Sequence, residues 1–465
     1  MSNEKIATPE ATPAAPVESS APVWFRQTTL IVGLLGVVAG IPVAINLFCL
    51  VPVLLLNQNG ESGALYGVGS LTFALLTAGA GWAAFVHANN SLHKKPSKPM
   101  HLPAHPMLYV ASFVFLIGVG AVIQATNYGA ALLFPPILVA CAILPPLWSL
   151  VWMIPQTSAP KEKEPVDESQ PSLPAPVAQT QLIWRRGLMA FAGGATVSVF
   201  IAIILEILLP VIVLSLVFNL ANTLSDQVQE LFRALSNENI AEALTNPSFI
   251  YIFVQIAIIA PLAEELAKPL ITLPMLKRLG KQESFWVGAL AGAGFAALEN
   301  IIYAMSGFGI WAGILLIRSL GGALHPVGSG LVAQGWHGIL NKEKDAGKNW
   351  LKRFGIAVAV HAAWNGGSLL VITLGGARFF GDLPPEIDLL GLSAAGTTLA
   401  FLLILGITAL WIGRSYGHNK PLLGMEERST EAEFLPSDRA IALWAVTCLI
   451  ALVPAGIAGL KLWLR

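Results

Sequence analysis

Apolar runs of about 20 residues recur along the chain between short polar stretches, and each is long enough to cross a bilayer core as a helix. They lie at 28–56, 64–88, 107–126, 129–153, 187–221, 248–276, 285–306, 308–335, 354–375, 389–412 and 440–464. This pattern predicts an all-α polytopic membrane protein with about eleven transmembrane helices. The polar stretches divide it. Residues 1–26 mix Pro, Ala, Ser, Thr and Glu and lack the charged start and short apolar core of a signal peptide, so a disordered cytoplasmic tail is expected. A four-span accessory unit follows over 27–153, then a flexible cytoplasmic linker rich in Pro, Glu, Lys and Ser over 154–186. A central region over 187–376 and a two-span C-terminal unit over 377–465 complete the chain. Between two of the spans, residues 222–244 carry Leu224, Val228, Leu231, Leu235 and Ile240 at near-helical spacing, which predicts an amphipathic helix on the outer surface.

Composition narrows the class. Of 465 residues, 55% are apolar and 12% charged, about half the charge of a soluble chain, which excludes an ordinary soluble enzyme. Lys plus Arg and Asp plus Glu are both 27, so no net basic field exists to neutralise a nucleic-acid backbone, and nucleic acid is excluded as a partner. The basic residues gather in alternate loops, at Lys94, Lys95 and Lys98, at Lys277, Arg278 and Lys281, and over 342–353. Lysine- and arginine-rich loops stay on the cytoplasmic side, which predicts a multi-pass protein of the cell membrane with its N-terminus in the cytoplasm and its C-terminus outside. Cys49, Cys141 and Cys448 lie in apolar runs and form no disulfide or metal pattern.

Four successive spans hold what the others lack: Glu264, Glu265, Lys268, Glu299, Asn300, Arg318, His325, His361 and Asn365. Five isolated Glu, Lys and Arg side chains at mid-bilayer would cost about 12 to 17 kcal/mol together, so they are expected to pair. Helical spacing puts Glu264 and Glu265 on the same turn as Lys268. Gly288, Gly292, Phe295, Glu299 and Tyr303 form a stripe whose small members invite close helix approach. Arg318, Gly322, His325 and Ser329 stack on one face of the next span, and His361, Asn365 and Ser368 on one face of the span after it. At 1.5 Å per residue, Glu264 and Glu299 lie ~20 Å from the cytoplasmic ends of their spans and His325 and His361 ~12 to 15 Å, depths that suit one shared site. Three Glu against Lys268 and Arg318 leave one negative charge when both imidazoles are neutral, so either a carboxyl keeps its proton or a cation binds.

The segments PLAEELAKP, GAGFAALENIIYA, ALHPVGSG and HAAWN, in this order on four successive spans, resemble the PrsW-type intramembrane proteases, within the wider group of CAAX prenyl endopeptidases and bacteriocin-processing enzymes. The resemblance implies that 187–376 is an intramembrane protease-like catalytic core. It implies that Glu264 or Glu265 activates the attacking water, and that Glu299, His325 and His361 complete the site as metal ligands or as orienting partners, with Asn365 as an oxyanion donor. Zn²⁺ is the metal this would involve, and a metal-free glutamate mechanism stands beside it, because the wider group has His where this chain has Glu299. The expected partners are the lipid bilayer and a membrane protein or membrane-anchored peptide substrate, an anti-sigma factor in the family's best-known role.

The rival reading is a proton-coupled transporter using the same buried Glu, His and Lys, with helices interrupted at Pro261 and Pro269. Arg318 reads as an ion-pair partner of Glu299 or another carboxylate, and Lys268 as the cation that tunes the Glu pair. Glu206, ~30 Å along its helix from Arg186, is assigned to the outer side with no role. Asn46 and Gln124 read as single interhelical hydrogen-bonders, and His87, His93, His101 and His105 as members or neighbours of a solvated loop.

Overall fold

A computed structural model of the chain describes residues 60–92, 100, 102, 105–126, 130–155, 182–210, 247–380, 385–418 and 438–463. The expected N-terminal tail, the first span, most of the linker and the outer amphipathic helix lie outside them. The described residues are helical: α1 (Gly60–Leu92), α2 (Pro106–Thr126), α3 (Ala130–Met153), α4 (Trp184–Pro210, with a π turn at Gly194–Ser198) and α5 (Pro247–Val254, a π turn at Gln255–Ile259, then Ala260–Ala267). They continue as α6 (Lys281–Ser306), α7 (Trp311–Leu320), α8 (Leu324–Leu340), α9 (Ala346–Phe380), α10 (Pro385–His418) and α11 (Asp438–Trp463). Among the described residues, eight helices are long and apolar enough to cross a membrane, or nine if the bent pair α7–α8 forms one span. The chain is an all-α, multi-pass membrane protein.

Helix α6 is the axis of the bundle: 89% of its apolar window is buried, against 17% for α2, whose Phe115 and Val114 face outward as a bilayer would solvate them. Small residues make that burial possible. A side chain at Gly194 of α4 would run into the Ala291 carbonyl of α6, and one at Gly294 of α6 into the Phe191 carbonyl of α4, so the two backbones touch at both positions. On the other face, Gly288 and Gly292 meet the α8 backbone at Ser329 and His325, as their stripe in the sequence predicts.

Prolines organise the rest. A proline inside a helix has no N–H, so the carbonyl four residues earlier loses its partner and must find another in the absence of water. Two such carbonyls are taken up by side chains of neighbouring helices. Pro146 frees Ala142 O, which accepts Asn300 Nδ2–H of α6 at 2.9 Å. At the start of α8, Gly322 O lies 3.2 Å from Ser149 Oγ of α3, whose hydroxyl is also 2.7 Å from Pro146 O of its own helix. In α5 the π turn lets Ala260 N–H bond Gln255 O, so Ile256 O would face Pro261; it accepts Asn365 Nδ2–H of α9 at 3.0 Å instead.

The span expected over 308–335 is not straight. It breaks between α7 and α8 with a bend of 42° at Gly321, Gly322 and Ala323, so Arg318 and His325 do not share one continuous helix face. Gly321 backs onto the Trp364 indole, where any side chain would collide, and Pro326 falls in the first turn of α8, where its missing N–H costs no helical bond. The accessory helices pack against the other end of α7: Phe134 meets Trp311 edge-on at 5.0 Å, and Trp311 Nε1–H donates to Gln124 Oε1 at 2.8 Å. Gln124 also donates to Phe308 O at 3.2 Å, so it is the interhelical hydrogen-bonder the sequence suggests, while Asn46 lies outside the described residues.

Candidate active site

The break and the glycine crossings bring the polar residues of four helices to one place. Helix α5 contributes Glu264, Glu265 and Lys268, α6 Glu299, the first turn of α8 His325, and α9 His361. Lys268, fully buried, lies at the centre: its Nζ is 2.9 Å from Glu264 Oε2, 2.7 Å from Glu265 Oε1 and 2.7 Å from His325 Nδ1. The Phe295 ring covers it at 4.6 Å. An isolated ammonium here would be prohibitively costly, and two carboxylates with cation–π contact are what make it tolerable.

The tautomers follow from these contacts. An ammonium can only donate, so His325 Nδ1 accepts from Lys268 and its proton is on Nε2, 3.2 Å from Glu299 Oε2. A carboxylate can only accept, so His361 Nδ1–H donates to Glu265 Oε1 at 3.0 Å, and the lone pair is on Nε2. That Nε2 is buried with no hydrogen-bond partner among the described residues. It is 3.8 Å from Glu264 Oε2, and the two imidazole rings meet edge-to-face at 4.7 Å.

Glu264, His325 and His361 each offer one ligand atom, all within 4.8 Å of one another, and can hold a metal ion. The donor chemistry fits: two imidazoles and a carboxylate are a common catalytic zinc set, and Glu265 gives His361 the outer carboxylate that such ligands need. Lys268 is the complication: with Nε2 protonated, His325 can ligate only through Nδ1, and the ammonium must leave that nitrogen for a metal to bind there. Glu299 is held differently. Its Oε2 pairs with Arg318 Nη2 at 2.8 Å, and its Oε1 is buried without a hydrogen-bond partner among the described residues. Arg318 also lies over the Tyr303 ring at 4.3 Å, so the ion pair expected from the sequence is present.

Residues 183–384 match the PrsW family intramembrane metalloproteases. That segment belongs to the PrsW family. The match spans all the residues above and extends a few positions either side of the 187–376 core expected from the motifs. The matched segment is thus similar to intramembrane proteases of a family described as metalloproteases, which takes the weight from the transporter reading. No curated protein and no solved structure matches the chain.

Of the site residues picked from the PrsW motifs, Glu264, Glu265, Glu299, His325 and His361 converge. Asn365 enters none of their contacts among the described residues; its Nδ2–H goes to Ile256 O and joins α9 to α5. Glu206 reads from the sequence as an outer residue, yet its carboxylate is half-buried and within electrostatic range of Glu299 and Lys268. The signal is present in the sequence, since any ionisable residue inside an apolar span merits suspicion. His87 is buried within α1, not part of a solvated loop, and His105 is exposed; His93 and His101 lie outside the described residues.

Proposed function

We propose that the PrsW segment hydrolyses a peptide bond in or near the membrane segment of a membrane protein or membrane-anchored peptide, with Glu264, His325 and His361 as the ligands of a zinc ion. The observation that carries this reading is the open, buried Nε2 of His361, oriented by Glu265 and facing Glu264. Bound there, zinc would supply an activated water and polarise the scissile carbonyl. Glu264 thereby replaces Glu299 in the ligand set that the sequence suggests.

Glu299 then takes the role of base. Arg318 fixes one carboxylate oxygen and leaves Oε1 open to accept the proton of the attacking water. As water oxygen bonds to the carbonyl carbon and the C–N bond breaks, Glu299 returns that proton to the leaving nitrogen. Glu265 orients His361, and Lys268 holds Glu264 and Glu265 in register. Asn365 acts as the anchor of α9, not as an oxyanion donor. With the N-terminus in the cytoplasm and the C-terminus outside, substrate helices would unwind toward the cytoplasmic half, and an anti-sigma factor is the first substrate to test.

A metal-free glutamate route is the second reading, favoured by one observation: the Lys268 ammonium already provides a cation to Glu264, Glu265 and His325. The test is cleavage of a panel of single-span substrates by the purified full chain in vesicles. Glu264→Gln, Glu299→Gln and His361→Ala should each lower kcat by about 10²-fold or more. Cleavage that survives all three changes would overturn the placement of the site, and proton-coupled uptake without proteolysis would restore the carrier.

A further inference from the structure

The accessory helix α3 lies outside the PrsW match, yet it reaches the reacting groups through an unbroken set of contacts. Pro146 leaves Ala142 O without a helical donor, and Asn300 Nδ2–H fills that position at 2.9 Å. Asn300 Oδ1 in turn accepts Arg318 Nε–H. The same guanidinium pairs through Nη2 with Glu299 Oε2 at 2.8 Å, and that oxygen lies 3.2 Å from His325 Nε2. Asn300 is buried, so its amide has no water to turn to if either partner is lost.

A planar guanidinium hydrogen-bonded through Nε and ion-paired through Nη2 has little rotational freedom. Asn300 fixes the Nε edge, and the Nη2 edge is then aimed at Glu299. A second contact from the same helix acts at the α7–α8 break: Ser149 Oγ lies 3.2 Å from Gly322 O, three residues before His325. Both α3 contacts therefore converge on Glu299 and His325 from outside the matched segment.

We infer that Asn300 is a positioning residue, which carries the fixed carbonyl of accessory helix α3 through Arg318 to the Glu299 carboxylate facing His325. The inference rests on the protease reading for its consequence but not for its geometry. It gives the accessory unit a defined role, in which α3 sets the orientation of the base and of the imidazole beside it. Proline at 146 is required, because a residue with an N–H would close the helical bond to Ala142 and compete with Asn300.

The test uses the full chain in detergent micelles, labelled with ¹⁵N at its eight histidines. Ring nitrogens that carry a proton and those that do not resonate far apart, so the spectrum reports the His325 tautomer directly. Loss of the signal in His325→Gln assigns it. The parent should show His325 protonated on Nε2. Lys268 keeps Nδ1 as the acceptor in every variant, so Asn300→Ala should shift the His325 Nε2 resonance as Glu299 moves away from it, Pro146→Ala should do so less strongly, and Pro145→Ala, which restores a helical donor only to the Cys141 carbonyl, should leave the signal as it is. On a substrate that the parent cleaves, Asn300→Ala should lower kcat about tenfold or more with KM unchanged. A His325 signal unmoved by Asn300→Ala, or moved as far by Pro145→Ala as by Pro146→Ala, would overturn the inference. Thermal melting identifies a variant that has merely unfolded, and in that event Pro146→Ala against Pro145→Ala decides alone. Failure of the protease reading would appear separately, as cleavage retained in Glu264→Gln, and would not change the comparison of the His325 resonance.

Discussion

Replacing Gly328 by alanine puts a methyl group against the carboxylate that orients His361. A Cβ at this position would lie 2.7 Å from Glu265 Oε2 and 3.2 Å from its Cδ, with the Ala357 methyl behind it at 3.4 Å. To reach ordinary contact at 3.4 Å the carboxylate must recede by about 0.7 Å. It cannot do so freely, because Oε1 is engaged with Lys268 at 2.7 Å and His361 at 3.0 Å. A shift of that size takes at least one of these contacts outside the range of a charge-assisted hydrogen bond. Loss of the partner that orients a ligating histidine costs about 10- to 100-fold in metal affinity or activity as a rule, and overpacking adds about 1 to 3 kcal/mol of destabilisation. Gly328→Ala should therefore remain folded, bind zinc at least about tenfold more weakly and cleave at least about tenfold more slowly. Competition with a fluorescent chelator and cleavage in vesicles measure the two quantities. Glu265→Asp shortens the carboxylate away from the new methyl, so adding Gly328→Ala to that variant should cost nothing further. Parent-like zinc affinity in Gly328→Ala, or a full additional loss in the double variant, would refute the reasoning.

Removing the central cation gives a second outcome: Lys268→Met leaves buried carboxylates unpaired and should destabilise the protein by about 3 to 5 kcal/mol, with Zn²⁺ raising its melting temperature more than it raises the parent's. Differential scanning fluorimetry with zinc or a chelator measures this, and equal shifts in both proteins would count against it. Gly194→Val drives a side chain into the Ala291 carbonyl and should separate α4 from α6, lowering the melting temperature, whereas Gly280→Ala, which meets nothing nearby, should be neutral. Chelation with 1,10-phenanthroline should abolish cleavage and added zinc should restore it; cleavage that persists through chelation supports the Lys268-centred, metal-free route.

The membrane class, most helix positions and the convergence of the charged residues are all legible in the sequence, because insertion cost forces buried charges to pair and equal depth puts them within reach. Glu264, Glu265 and Lys268 need only helical spacing, since all three lie on one turn. What cannot be read is which freed carbonyl meets which side chain. A proline announces the carbonyl it frees, but Asn300 reaches Ala142 across 158 positions and Asn365 reaches Ile256 across 109, and nothing local encodes those pairings. The bend at Gly321–Ala323 is hidden for a related reason. Hydropathy runs unbroken through it, and only the Trp364 indole opposite Gly321 forbids a side chain there. Glu206 lies within electrostatic range of Glu299 and Lys268, a proximity between helices that distance along its own helix does not reveal.

The claim that Glu264, His325 and His361 form a metal centre is tested most directly by counting bound metal in the purified full chain. Inductively coupled plasma mass spectrometry on the parent, Glu264→Gln and His361→Ala, with cleavage assayed on the same samples, measures it. One divalent ion per parent chain, lost together with activity in both variants, is the predicted result. A parent that cleaves its substrate while holding no metal, or variants that keep the ion while losing activity, would contradict the assignment.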